Sequence, residues 1–124
     1  MDTIIEAEVV HGRKLGRQMG FPTANMEIGE ELNADRGVYR SSVEVDGVSY
    51  RAMSNLGVRP SVGGGRLLLE THIIGYDGDL YGRRLRVHLR EKIRDERRFD
   101  SIDDLQRQLR EDYASIASMP SDGR

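Results

Sequence analysis

Gly37-Val38-Tyr39-Arg40-Ser41-Ser42-Val43-Glu44-Val45-Asp46-Gly47-Val48-Ser49-Tyr50-Arg51-Ala52-Met53-Ser54-Asn55 is the stretch that decides the fold class. On its first arm Tyr39, Val43 and Val45 fall on alternate positions, the two-residue period of a strand with one covered face. Asp46-Gly47 then supplies the pair favoured in a two-residue loop. Both central residues of that loop need positive φ, and its twist matches the twist of paired antiparallel arms. The stretch predicts a hairpin with arms Gly37–Asp46 and Val48–Asn55.

The same pattern extends outward in both directions. Arg84–Arg90 alternates cleanly, with Leu85, Val87 and Leu89 on one face and Arg84, Arg86, His88 and Arg90 on the other, as in an antiparallel strand with one wet face. Arg66–Ile74 holds Leu67, Leu68, Leu69, Ile73 and Ile74 and predicts the most buried strand. Ile4–Val10 predicts a first strand with Ile5, Ala7 and Val9 inward, and Pro22–Ile28 a short second one. The polar, aperiodic segment Gly29–Arg36 predicts a surface connection, and Asp77-Gly78-Asp79 a turn. Asn55–Gly65, with Pro60 and three successive glycines, predicts a long loop. No Lys-Ser or Lys-Thr pair follows those glycines, so they are no P-loop. Ser101 opens a helix, with Asp104 three residues on in a capping-box pattern. Ile102, Leu105, Leu109, Tyr113 and Ile116 recur at three and four residues as one apolar stripe. Six short strands and one terminal helix predict an all-β domain, a small antiparallel barrel with the helix packed on its side, because closure removes exposed edges. One domain is expected over residues 1–118, followed by a frayed tail, 119–124.

Composition narrows the function. A chain of 124 residues is one domain long and can bury a modest core without staples. It has no cysteine, hence neither a disulfide framework nor a thiolate site, which fits a reducing compartment. No apolar run reaches a membrane span, and the N-terminus resembles no signal peptide, so a cytoplasmic protein is expected. A net charge of −2 and few aromatics argue against a nucleic-acid or membrane-surface partner.

The chemistry points to His11–Asn25. Glycines at Gly12, Gly16 and Gly20 make a poor helix, each costing about 1 kcal/mol against alanine, but a loop whose backbone can lie close to a ligand. With Arg13, Lys14 and Arg17 among them, the loop suits an anion, most obviously a polyphosphate. Pro22 favours an extended Phe21, and in an extended chain Thr23 and Asn25 face the same way. A hydroxyl and an amide oxygen beside a phosphate loop suit a hard cation such as magnesium.

Gly16–Asn25, with Phe21-Pro22-Thr23-Ala24-Asn25 at its end, resembles the signature of riboflavin kinases. The resemblance continues through Gly37-Val38-Tyr39, Asn55-Leu56-Gly57-Val58-Arg59-Pro60, Glu70-Thr71-His72, Asp79-Leu80-Tyr81-Gly82 and Ile93–Phe99, covering nearly the whole chain in order. It implies a six-stranded antiparallel Greek-key barrel with a C-terminal helix, and transfer of the γ-phosphate of ATP to the 5′-hydroxyl of riboflavin to give FMN. It implies that Thr23 and Asn25 hold magnesium and the nucleotide phosphates, that the loop from Gly12 to Gly20 closes over the nucleotide with Lys14 or Arg17 neutralising charge, and that Pro22 belongs to that site. Glu70 is a lone carboxylate among leucines and isoleucines, costly to bury without a partner or a task. The resemblance makes it the base that takes the 5′-hydroxyl proton; the plainer alternative is a glutamate facing solvent. Arg94 and Asp95–Phe99 are implied to border the flavin. An apolar slot for its ring could be lined by Tyr81, Phe99, Leu105 and Tyr113, with Leu105 and Tyr113 more simply core. His72 faces the same way as Glu70, but zinc needs three protein ligands or more and His11 and His88 have no such spacing, so His72 reads either as structural or as a support behind the site residues.

There are two departures from the family's pattern. Ser61 stands where threonine is usual, with the hydroxyl kept. The N-terminal adenylyltransferase domain that many relatives carry is not seen, so the chain is expected to work as a monomer or as part of a longer bifunctional chain. The alternative to an enzyme is a non-catalytic flavin- or nucleotide-binding barrel; the presence of both Glu70 and Asn25 counts against it.

Overall fold

Alternating apolar residues and short turns give six strands: β1 (Thr3–Val10), β2 (Ala24–Ile28), β3 (Gly37–Val45), β4 (Val48–Ser61), β5 (Gly64–Ile73) and β6 (Arg84–Arg94). One helix, α1 (Ile102–Ala117), follows them. The computed structural model describes residues 3–11, 20–28, 34–61 and 64–119. The strands close into a barrel in the order β1-β2-β5-β4-β3-β6, every neighbouring pair antiparallel. β3, β4 and β5 follow one another, and β6 returns to lie beside β3, which is the Greek-key arrangement expected above.

The predicted faces are the observed ones. Leu85, Val87 and Leu89 point inward at 2 % exposure or less, with Ile5, Val9, Met26 and Leu69 beside them. Val45 pairs with Val48 across the predicted loop, and Asp46 and Gly47 take φ of 51° and 82°, the double positive φ that an Asp-Gly turn supplies.

The loop expected over Asn55–Gly65 is instead strand over Asn55–Ser61 and Gly64–Gly65; residues 62–63 lie outside the described residues. β4 and β5 stay in register from Ala52 opposite Ile73 down to Ser61 opposite Gly64. Proline and tandem glycines weaken a strand but do not forbid one at a free edge. β3 begins only at Gly37, opposite Leu56, so among the described residues the far part of β4 has only β5 beside it.

The helix starts as predicted: Ser101 is its N-cap, its hydroxyl accepting from the Asp104 amide at 3.1 Å. Ile116 is fully buried against Val38 and Met53, and Leu109 joins them with Phe21, Ile74 and Ile93 in a second core outside the barrel wall. The stripe differs at two places. Ile102 is 58 % exposed. Asp112, never counted in the stripe, is 3 % exposed. The last turn carries no basic residue. Arg51 of β4 supplies the cation instead, donating to the Ile116 and Ala117 carbonyls at 3.1 Å each. No helix among the described residues is long and apolar enough to cross a membrane.

Candidate active site

The end of β1, the start of β2 and the segment between β5 and β6 enclose a cleft of about 560 Å³, within the range of small-molecule sites. Thr23 and Asn25 both line it, with Pro22, His11 and Tyr81. His11 and Tyr81 stack at 3.7 Å, 12° from parallel.

Asn25 is 7 % exposed, and its Nδ2 donates to the Thr23 carbonyl at 3.3 Å. That bond fixes which way the amide faces, and it leaves Oδ1, an acceptor, on the other side. A hydroxyl and an amide oxygen lining one cleft are the donors a hard cation takes, so the residues present fit magnesium.

β2 and β5 are paired so that Asn25 stands directly opposite Glu70, which on its other side stands opposite Asn55. Residues directly opposite on antiparallel strands share a face. Leu69 and Thr71 are fully buried and Glu70 between them is half-buried, so its side chain leaves the barrel on the outer face that Asn25 uses. Pairing brings these two residues together from distant parts of the chain. Glu70 is not itself among the residues lining the cleft.

His72, on the same face, puts Nδ1 2.8 Å from the Pro22 carbonyl oxygen. Phe21 meets the His72 ring edge-on at 5.5 Å, and Tyr113 of α1 lies 5.9 Å from Phe21 and 6.1 Å from His72. Gly20, exposed and with φ of 87°, sits in the left-handed region that favours glycine. Gly12, Lys14, Gly16 and Arg17 lie outside the described residues.

Arg94 is engaged by the helix. Its Nε donates to both Asp112 carboxylate oxygens at 3.0 Å, and its Nη2 to Asp112 Oδ2 at 2.8 Å. Gln108 adds a bond to Asp112 at 3.0 Å. The guanidinium groups of Arg94 and Arg97 lie 5.9 and 5.2 Å from the centre of the Phe99 ring. The residues expected to share one apolar slot have separate neighbours: Tyr81 stacks in the cleft, Phe99 lies with the two arginines, and Tyr113 packs on Phe21 and His72.

Sequence reasoning missed Asp112. The available signal was the one that singled out Glu70, a carboxylate on an apolar face, here between Leu109 and Ile116. It also missed a file of buried hydroxyls across three strands, Ser41 to Ser54 at 2.7 Å and Ser54 to Thr71 at 2.9 Å. The signal was the two-residue alternation, which puts Ser41 between Tyr39 and Val43 and Thr71 between Leu69 and Ile73 on the covered face.

The riboflavin kinase (flavokinase) family model matches residues 2–119. The chain belongs to the riboflavin kinase family. It is 42 % identical over 116 residues to the bifunctional riboflavin kinase/FMN adenylyltransferase of Pseudomonas fluorescens, an alignment covering 93 % of this chain and 37 % of that protein. It is 38 % identical over 117 residues to the RNA-binding riboflavin kinase of Bacillus subtilis, covering 93 % of this chain and 50 % of the relative. The chain therefore spans from about a third to half the length of these curated riboflavin kinases. The crystal structure of riboflavin kinase from Trypanosoma brucei superposes with a TM-score of 0.67 over 95 % of this chain and 79 % of that one, at 21 % identity, a likeness of fold.

Proposed function

We propose that the chain transfers the γ-phosphoryl group of ATP to the 5′-hydroxyl of riboflavin, giving FMN and ADP. The observation that carries this reading is the pairing of Asn25 with Glu70 beside the cleft, in a chain of the riboflavin kinase family. Glu70 accepts the proton of the 5′-hydroxyl as its oxygen bonds to the γ-phosphorus and the bond to ADP breaks. Thr23 and Asn25 hold the nucleotide phosphates and a magnesium ion. Bound magnesium would supply charge neutralisation on the phosphates. Lys14 or Arg17 adds positive charge from the loop Gly12–Gly20, whose closure with Pro22 at its base excludes water. Arg94 borders the flavin, held in place by Asp112 and carrying Phe99 with it.

Catalysis is then mostly positioning and electrostatics, as phosphoryl transfer allows. We assign the protein to the cytoplasm, as a monomer or the kinase part of a longer chain, with neither nucleic acid nor membrane as partner. Support is the absence of cysteine and the near-balanced charge. The reading as a non-catalytic barrel is not favoured, because both Glu70 and Asn25 are retained. Incubation with riboflavin, ATP and magnesium, followed by chromatography, should yield FMN and ADP in equal amounts. Tight riboflavin binding with no FMN would leave the non-catalytic reading standing.

A further inference from the structure

The ladder between β2 and β5 ends at Ala24, opposite Thr71. Just before it, the chain is held by two side chains in place of a ladder. Asn25 Nδ2 donates to the Thr23 carbonyl at 3.3 Å. His72 Nδ1 lies 2.8 Å from the Pro22 carbonyl oxygen. A carbonyl can only accept, so Nδ1 carries the hydrogen and donates it.

The bond falls where it has the most leverage. Proline has no N–H to anchor, and its ring fixes φ near −65°. The remaining soft torsion of Pro22 is ψ, which sets the direction of its carbonyl and hence where Thr23 goes. One hydrogen bond to that oxygen therefore orients the residue that follows. The imidazole is in turn held by Phe21, edge-on at 5.5 Å, and by Tyr113 at 6.1 Å.

We infer that His72 is a positioning residue for the nucleotide phosphates: its Nδ1–H, by holding the Pro22 carbonyl, sets Thr23 and Asn25 in the cleft. Phe21 and Tyr113 keep the ring in the orientation that bond requires. The inference rests on the reading of Thr23 and Asn25 as the phosphate side of the site.

The test uses the whole chain. His72→Leu removes the donor at similar size, and His72→Asn restores a donor, Nδ2, near the place of Nδ1. Calorimetric titration with magnesium-ADP and, separately, with riboflavin reads the two sides of the site apart. Loss of one hydrogen bond predicts a magnesium-ADP Kd raised about tenfold in His72→Leu and restored to within about threefold of wild type in His72→Asn. Riboflavin Kd should move by less than about twofold. Wild-type magnesium-ADP affinity in His72→Leu overturns the inference. So does an equal loss toward both ligands that His72→Asn does not restore, which is what mere structural damage would give. If His72→Leu does not fold, His72→Gln takes its place: its donor sits farther out, so it should lose magnesium-ADP affinity while His72→Asn keeps it, and equal affinities overturn the inference. A wild-type chain that binds magnesium-ADP but forms no FMN sinks the proposed activity alone, and the same titrations still decide His72.

Discussion

Glu70 and Asn25 are the residues on which the proposed chemistry stands, and each makes a separate demand. Glu70→Gln keeps the shape and removes the base. Turnover should fall by about two to four orders of magnitude while riboflavin affinity stays near wild type; undiminished turnover would take Glu70 out of the mechanism. Asn25→Ala removes Oδ1 and also frees the Thr23 carbonyl from its 3.3 Å bond. Weaker magnesium-ATP binding and a raised KM for ATP should follow, and unchanged values of both would refute the metal and phosphate assignment. The sequence made each residue visible singly: Glu70 as a charge in an apolar run, Asn25 as an amide behind a basic glycine loop. What it could not contain is that they are cross-strand partners, because register between strands far apart in the chain is set by the closing of the barrel. Asp112 carried the same kind of signal, a carboxylate on an apolar face, but a weaker one. On a helix one polar residue beside an apolar stripe usually faces solvent, and only its partner, Arg94, makes burial tolerable.

At the scale of elements, α1 is fastened at two points, by Arg51 on its C-terminal carbonyls and by Arg94 on Asp112. The second pair is 17 % and 4 % exposed at its side chains. Such a pair contributes little against an apolar replacement, but removing one partner strands the other charge. Asp112→Ala should cost about 3 kcal/mol in denaturant unfolding, with much of it recovered when Arg94→Met is added; a loss no larger than that of an exposed ion pair would contradict the geometry. Gly37 is a second pressure point. It takes φ of 153°, and a Cβ there would lie 2.5 Å from the Arg94 carbonyl oxygen, a backbone atom that cannot step aside. Gly37→Ala should destabilise the protein by about 2–4 kcal/mol in the same measurement, and a wild-type midpoint would show the contact to be relieved at no cost. The Asp46-Gly47 turn is tied to the start of β6 by Arg83, whose Nη2 donates to Asp46 Oδ1 at 2.7 Å. The Arg83 hydrogen bond first, and its charge second, hold the Asp46 carboxyl below the usual carboxylate range. A depressed folded pKa gives stability that is present above the unfolded value, about 3.9, and lost as pH falls through the folded one. NMR titration should find Asp46 among the last carboxyls to protonate, and Arg83→Ala should return it to the ordinary range; an Asp46 that titrates normally in the wild type would contradict the pair. The hairpin containing this turn was fully legible, because turn chemistry and alternation agreed. The hairpin of β4 and β5 was not, because proline and glycine signal a loop locally while the strands' pairing overrides them.

For the whole molecule, the consequence of closure is that the end of β1, the start of β2, the end of β5 and the segment before β6 meet at one mouth of the barrel. Local patterning was enough to count six strands and one helix, since strands show as alternating or short apolar runs and the helix announces its cap. Their order around the barrel was accessible only through resemblance, because alternation says which face is buried and nothing about which strand is adjacent. That order sets Glu70 of β5 opposite Asn25 of β2, which lines the cleft, and it is the ground for treating phosphate binding and proton acceptance as parts of one reaction centre. A crystal structure of this chain with magnesium-ADP and FMN tests the claim most directly. The nucleotide phosphates should lie against Thr23 and Asn25, with the phosphorylated oxygen of FMN about 3 Å from the Glu70 carboxylate. Phosphates bound in the cleft with the flavin's phosphate on a wall that Glu70 does not reach would contradict it.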